Sequence, residues 1–389
     1  MKSIGLILPK LPGYSETFLI KKINGLSDAG FKIYLFTKES RRTTSNLSPN
    51  VKIIYQLSFN QKYKIPFILT KLILFNFKRL ATFIVQEINS NRNIKLIIRN
   101  VLINAHILDQ KLDWLHFSYA TMAIGRENVP YTIGAKCAVS FRGYDITSFP
   151  NKNINCYNVL WKKLDKVHSI SNYLYIEGMR LGLNKKTSTK IINPAVNTTF
   201  FKTKKNRILN EPIRILTVSR LNWIKGLEYS IKAVDQLLSK GIPVEYKIIG
   251  EGSYKEAIQY AINQLNLENS VFLLNKTTHE EVVQQMKWAE IYLQPSLQEG
   301  FCNATLEAQA MGLLCIVSNT GGLKENIKQN QTGWLVNKRS ACSISKKIID
   351  VLNMDNAEIY GVSNQAKQNV IKNYGLTKHI NEWIDFYIN

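Results

Sequence analysis

Short apolar runs of strand length alternate along this chain with longer stretches of helical periodicity. Ile4 to Leu8 is the first such run. It is followed by Pro9 to Ser15, a Gly- and Pro-containing loop, and by a helical stretch from Thr17 to Ala29 that Gly30 closes. Leu112 to Tyr119 and Ala138 to Asp145 read as two further strands, and Phe67 to Ile88, without internal Pro or Gly, as a helix that Pro66 opens. In the second half, runs at Ile213 to Val218, Glu245 to Ile249, Val271 to Leu274 and Ile291 to Leu293 are separated by helical stretches that include Tyr254 to Leu265 and His279 to Trp288. Alternation on this spacing predicts an α/β protein with doubly wound parallel sheets. No repeat of solenoid length and no low-complexity tract interrupts it.

The stretch Tyr292 to Gly312 carries the clearest chemistry. An apolar strand runs into a loop holding Glu299 and Gly300, then into a short helix that Asn303 is placed to cap and Gly312 to end, with Leu313 to Val317 as the next strand. On one continuous helix the two carboxylates of Glu299 and Glu307 would be turned about 80° apart. For both to face one ligand, Glu299 must lie in the loop and Glu307 in the helix. A carboxylate accepts hydrogen bonds from two neighbouring hydroxyls, while the amides of Phe301 to Asn303 at a helix start favour a phosphate. A sugar, a diphosphate and a ribose fit that arrangement. Taken alone, two Glu at this spacing read first as a surface loop leading into a helix.

The flanking residues add a resemblance. Pro295-Ser296, Glu299, seven residues, Glu307, then Ala308-x-Ala310-x-Gly312 resembles the signature of family 4 glycosyltransferases. The resemblance implies the GT-B fold, two Rossmann-like doubly wound parallel-sheet domains facing across a cleft. It implies that Glu299 meets the donor sugar and Glu307 the ribose, with Gly300, Phe301, Cys302 and Asn303 lining the donor site. In S-R-L-N-W-I-K-G, residues 219–226, it assigns Arg220 and Lys225 to the diphosphate, where their charge also stabilises the departing nucleotide. The turn Gly250-Glu251-Gly252 is similar to one near the nucleotide base, although Asn275-Lys276 departs from the family pattern nearby.

The first half shares the resemblance in three places. L-P-G-Y-S-E-T-F, residues 11–18, is similar to the opening of glycosyltransferases that build colanic acid and other bacterial exopolysaccharides, which makes Gly13, Ser15 and Glu16 candidates for contact with acceptor or diphosphate. A capped helix start is the other reading. In V-S-F-R-G-Y-D, Arg142 stands where the family commonly has a His beside the reacting carbon, and Asp145 closes the segment as a ligand-binding candidate. Arginine is no base at neutral pH, but it can steady a negatively charged acceptor or leaving group. His116, in W-L-H-F-S-Y, is the nearest matched histidine, either an acceptor contact or a satisfied structural residue. Pro194-Ala195 replaces the usual pair before the hinge. The domain expectation is an acceptor domain over 1–200, a nucleotide-sugar domain over 201–370 and a final helix over 371–389 that crosses back to the first domain.

Charge alters the picture of the first half. The chain of 389 residues carries +23, and residues 1–195 hold 29 basic against 10 acidic residues while residues 196–389 hold 22 against 18. Between Lys52 and Asn104 there are nine basic residues and one acid, Glu87, among many Ile, Leu and Phe. On the helix from Phe67 to Ile88, Lys71, Lys78, Arg79, Thr82 and Gln86 share one stripe. That suits a helix lying on an anionic membrane surface, and it suits an ordinary packed helix with a solvated stripe. Three basic residues argue against a membrane span. The five cysteines and five histidines show no zinc-site spacing and the thiols read as reduced, while the lack of an Asp-x-Asp pair agrees with the metal-independent enzyme that the resemblance implies, so no metal is expected.

Together these readings point to a cytoplasmic enzyme, peripheral on the inner face of the cytoplasmic membrane. Its partners would be a nucleotide-sugar donor, a glycan or lipid-linked glycan acceptor and an anionic membrane surface, with no nucleic acid. A GT-B-fold epimerase acting on a nucleotide sugar is the enzymatic alternative, and a basic nucleic-acid-binding protein the non-enzymatic one. The latter lacks any recognised reading motif.

Overall fold

The computed structural model describes residues 2–12, 17–38, 47–56, 65–203 and 208–388. The chain divides into two compact units, Met1–Asn193 with His379–Asn389, and Pro194–Lys378. The divisions therefore fall earlier than position 200 and later than position 370.

The first unit holds seven strands: β1 (Ser3–Ile7), β2 (Lys32–Lys38), β3 (Lys52–Gln56), β4 (Trp114–Phe117), β5 (Lys136–Phe141), β6 (Lys166–Ser169) and β7 (Ser188–Ile191). They form one parallel sheet in the order β3-β2-β1-β4-β5-β6-β7, so chain direction across the sheet reverses between β1 and β4. The connecting helices are α1 (Thr17–Asp28), α2 (Ile65–Asn89) and α3 (Ile94–Leu108). Four short helical segments follow, α4 to α7, at Val129–Ile133, Tyr144–Thr147, Phe149–Lys152 and Asn158–Trp161, and then α8 (Asn172–Arg180). Side-chain oxygens start the longer ones. Asn93 accepts from the Leu96 amide at 2.9 Å ahead of α3, and Ser171 from the Leu174 amide ahead of α8.

The second unit holds β8 (Ile213–Val218), β9 (Val244–Ile249), β10 (Val271–Leu274), β11 (Ile291–Gln294), β12 (Leu314–Ser318) and β13 (Trp334–Val336). Their order is β10-β9-β8-β11-β12-β13, again all parallel, and the reversal lies between β8 and β11. Helices α9 (Leu227–Leu238), α10 (Lys255–Gln264), α11 (His279–Trp288), α12 (Asn303–Ala310), α13 (Ala341–Leu352) and α14 (Asn356–Asn373) surround it. Its core packs Ile215, Ile248, Leu293 and Ile316 of the sheet against Ile231 and Ile348 of α9 and α13. Both sheets thus match the doubly wound class expected from the apolar runs.

The sequence predicts one terminal helix over 371–389, and the structure has parts of two there, α14 and a further helix. The chain breaks at Tyr374 and Gly375, where the Tyr374 carbonyl accepts from the Val196 amide at 2.9 Å, and α15 (Leu376–Ile388) starts beyond. A second departure concerns α2. It is kinked at Asn76, whose side chain leaves the helical run to donate to Asp109 at 2.8 Å. Its expected solvated stripe is partly turned into the protein, since Arg79 donates to the Leu108 and Gln110 carbonyls and Gln86 accepts from Lys163. The Lys71 side chain lies outside the described residues.

Helix α15 completes the core of the first unit. Trp383, Phe386 and Tyr387 are buried against Ile4, Leu6 and Trp114, and the Lys22 ammonium of α1 sits 3.0 Å from the Trp383 ring centroid. Below them runs a chain of hydrogen bonds whose protons can be placed one by one. The Ile192 carbonyl can only accept, so His168 Nε2–H donates to it at 3.0 Å, leaving Nδ1 to accept from the Ser140 hydroxyl at 2.8 Å. With its proton spent, Ser140 accepts from His116 Nε2–H at 2.8 Å, and His116 Nδ1 accepts from the Tyr387 hydroxyl at 2.6 Å. Both imidazoles are neutral in this arrangement. Burial first, then the nearby Lys22 charge, holds both well below the ordinary histidine range.

Tyr387→Phe leaves His116 Nδ1 buried without a donor and should cost about 1–3 kcal/mol of unfolding free energy, measured by urea denaturation. A loss no larger than that of an exposed Tyr→Phe control would mean that the bond does not form. Burial also drives His106 to about 3 and His379 to about 4, so four histidines stay unprotonated when folded. Below about pH 6.5 the unfolded chain takes up protons that the folded chain refuses. Stability should therefore drop between pH 7.5 and pH 5, and equal urea midpoints at the two values would contradict the neutral assignments.

Candidate active site

In the second unit, the loops that leave β8, β9 and β11 are stitched together by main-chain bonds at the strand reversal. The Ser219 amide donates to the Ile249 carbonyl and the Leu221 amide to the Glu251 carbonyl, each at 3.0 Å, while the Leu297 amide donates to the Ile224 carbonyl at 2.8 Å. This close approach fixes two glycines. A Cβ on Gly250 would run into the Ser219 carbonyl, and Gly226, at φ 60°, would bring one to 2.5 Å from the Pro295 carbonyl. Reversal points of this kind leave a crevice beyond the strand ends, the usual ligand site of open α/β sheets.

Two of the expected site residues meet there. Lys225 and Glu299 form an ion pair, with their side chains only 11% and 13% exposed. The Glu299 carboxylate also accepts from Ser296 Oγ at 3.0 Å, Ser296 accepts from Gln294 Nε2 at 2.8 Å, and the Gln294 carbonyl accepts from the Tyr292 hydroxyl at 2.8 Å. Lys225 neutralises the carboxylate, and the Ser–Gln–Tyr chain fixes its direction. On the other side the Glu299 carbonyl accepts from the Gly322 amide at 2.8 Å, which ties this loop to the one after β12. Gly300 is half-buried in the same loop. Arg220 is exposed just past β8.

Glu307 lies on α12, one helix beyond the loop, as the geometric argument required. It is half-buried, and desolvation raises its carboxyl to about 7. The helix begins one residue earlier than the capping reading placed it: Asn303 is the first helical residue, with Cys302 in the cap position and no side-chain cap. The phosphate-binding amides also need correcting. The Cys302 amide donates to Asn326 Oδ1 at 3.1 Å and its carbonyl accepts from Asn326 Nδ2 at 2.9 Å, so that donor is already engaged. Phe301 is buried and Asn303 half-buried.

The first unit places its candidates differently. Asp145 is 1% exposed and accepts from the amides of Arg142 at 3.1 Å, Gly143 at 2.9 Å and Ala120 at 3.0 Å. It clamps the loops after β4 and β5, and its carboxylate is consumed in doing so. Arg142 Nε donates to the Ser118 carbonyl at 3.0 Å, and its guanidinium lies over the Tyr119 ring. His116 is fully buried in the chain under α15, away from any surface where an acceptor could meet it. Gly13, Ser15 and Glu16 lie outside the described residues.

Sequence reasoning missed Asn326, Ser296 and Gln294. Asn326 carries no local signal, because its partner is Cys302, 24 residues away. Ser296 and Gln294 did carry one, as polar residues at the end of an apolar strand. Among the described residues, no group of three His, Cys, Asp or Glu side chains is placed to hold a metal ion.

Residues 199–375 match the family described as Glycosyl transferases group 1. The second unit is a group 1 glycosyltransferase domain. The group 1 match thus takes in Arg220, Lys225, Glu299 and Glu307 alike. Over nearly its whole length the chain is 25% identical to a protein named as the colanic acid biosynthesis glycosyltransferase WcaL of Escherichia coli K12, covering 94% of this chain and 95% of that one. It is 36% identical over 151 residues, 37% of each chain, to the amylovoran biosynthesis glycosyltransferase AmsK of Erwinia amylovora. Among solved structures it is similar to a glycosyltransferase of Rickettsia africae ESF-5, with TM-score 0.73, 19% identity and 99% and 97% coverage. Anabaena Alr3699/HepE in complex with UDP superposes with TM-score 0.73 at 15% identity, covering 99% of both chains. These likenesses show the fold, which is GT-B.

Glu307 generates a test with a definite sign. A carboxyl raised from about 4.5 to about 7 holds a proton in the folded state that the unfolded state has lost, so its contribution to stability falls as pH rises through that window. Glu307→Gln removes the effect. Relative to wild type the variant should gain about 1–2 kcal/mol between pH 5 and pH 8 in urea denaturation, and a pH-independent difference would place the ordinary carboxyl range on Glu307.

Proposed function

We propose that this protein is a retaining, metal-independent family 4 hexosyltransferase that moves a sugar from a UDP- or GDP-linked donor to a hydroxyl of a lipid-linked glycan. The product would be a bacterial cell-surface polysaccharide such as an exopolysaccharide, capsule or lipopolysaccharide. The observation that carries this reading is the Lys225–Glu299 pair at the β8/β11 reversal of a group 1 glycosyltransferase domain, with half-buried Glu307 on the next helix. The names of WcaL and AmsK support the polysaccharide class.

In this reading Lys225 and Arg220 receive the diphosphate and supply the positive charge that a divalent cation provides elsewhere. Glu299 accepts hydrogen bonds from the donor sugar, and Glu307 from the ribose hydroxyls once ionised. Bound by Lys225 and Ser296, Glu299 is held as an acceptor of hydrogen bonds rather than as a nucleophile. The acceptor oxygen forms its bond to the anomeric carbon on the face from which the phosphate oxygen leaves. The carbon–oxygen bond to the diphosphate breaks, and the acceptor proton passes to that phosphate, so configuration is retained. The enzyme works in the cytoplasm, at the inner face of the cytoplasmic membrane.

A donor screen tests the proposal. Thermal shift and turnover with UDP- and GDP-sugars should show stabilisation by one nucleotide series, reduced at least about tenfold in apparent affinity by Glu307→Ala and by Arg220→Ala. Glu299→Ala should lower turnover more than nucleotide binding. Absence of any response to both series would refute the transferase reading.

A further inference from the structure

We propose that the outward face of α2, continued by the first turn of α3, is a docking surface for an anionic lipid bilayer. Helix α2 has two unlike sides beyond its kink. Leu80, Phe83 and Glu87 are buried, whereas Phe77, Val85 and Ile88 fall within about 80° of one another at 100° per residue and are 52–64% exposed. Leu74, before the kink, is 69% exposed, as is Ile94 at the start of α3, and Ile98 one turn on is 56% exposed. Seven of the twenty exposed large hydrophobic side chains among the described residues lie between Leu74 and Ile98. Apolar side chains concentrated in this way mark a surface that meets something other than water.

Charge names the partner. Lys78 is exposed beside the apolar residues of α2, and Lys95 and Arg99, one turn apart, are exposed beside Ile94 and Ile98. The single carboxylate between Thr70 and Leu108, Glu87, is turned inward to Arg92, Asn100 and Asn128 and is absent from this surface. Apolar side chains fringed by cations and free of anions fit anionic headgroups over acyl chains. A second copy fits poorly, because a two-fold contact would bring these cations against their own equivalents. The surface lies on the membrane without crossing it, since no helix among the described residues is long and apolar enough to span.

This inference stands apart from the transferase chemistry, and the test keeps them separate. Full-length protein is floated with vesicles of phosphatidylcholine alone and of phosphatidylcholine with phosphatidylglycerol. Wild type should float with the anionic vesicles at low salt and largely stay behind with the neutral ones. Phe77→Glu with Ile94→Glu should reduce the vesicle-bound fraction at least about tenfold, and Lys95→Glu with Arg99→Glu should abolish the preference for anionic lipid. All four positions are exposed, so melting temperatures should match wild type. Glu299→Ala should float as wild type does whatever becomes of the transferase proposal. Wild type left at the bottom with both vesicle types overturns the proposal, as does flotation that survives Phe77→Glu with Ile94→Glu. So does a dimer in size-exclusion chromatography that the glutamate pair dissociates without any vesicle binding, which would make the face a contact between copies.

Discussion

The site depends on one topological constraint. Where β8 and β11 stand side by side, their onward chains leave in opposite directions, and the gap between them must be bridged by something other than continuous sheet. The main-chain bond from the Leu297 amide to the Ile224 carbonyl bridges part of it. The Lys225–Glu299 pair bridges the rest with opposite charges held at low exposure. Such a pair is of little use for stability, because removing two charges from water offsets most of their attraction. Its value is positional. Each partner fixes the other while both stay close enough to the surface for a ligand to compete.

What the sequence made legible was local in the chain. Apolar runs of four to six residues marked the strands, and the eight-residue step from Glu299 to Glu307 located a loop and a helix because no single helix could aim both. The misses were contacts between distant residues. Asn326 reaches the Cys302 amide, Asn76 leaves its helix for Asp109, and His116 finds Ser140 and Tyr387 on other elements. None of these partners is encoded in the spacing around the residue itself. The charged stripe on α2 was legible only in part for a related reason: periodicity gave the faces, Lys78 among them, but could not say which carbonyls would claim Arg79.

The two units use buried polar groups for opposite ends. In the second, Ser296, itself held by Gln294, and Lys225 converge on the Glu299 carboxylate at the strand ends. In the first, the Tyr387–His116–Ser140–His168 chain converges on nothing. Each donor is matched to one acceptor until the chain ends on a main-chain carbonyl, which satisfies four buried polar side chains in a region too dry to hydrate them. That difference separates the two groups more sharply than burial alone.

The discontinuity of the first unit bears on how the chain is made. Strands β1 to β7 leave the ribosome well before α15, yet the sheet face that Trp383, Phe386 and Tyr387 cover, and the imidazole that Tyr387 satisfies, are finished only by residues that follow the whole of the second unit in the chain. The second unit is continuous and can close on itself during synthesis. For this chain the usual order of maturation of the two units is therefore reversed, with the first sealed after the second.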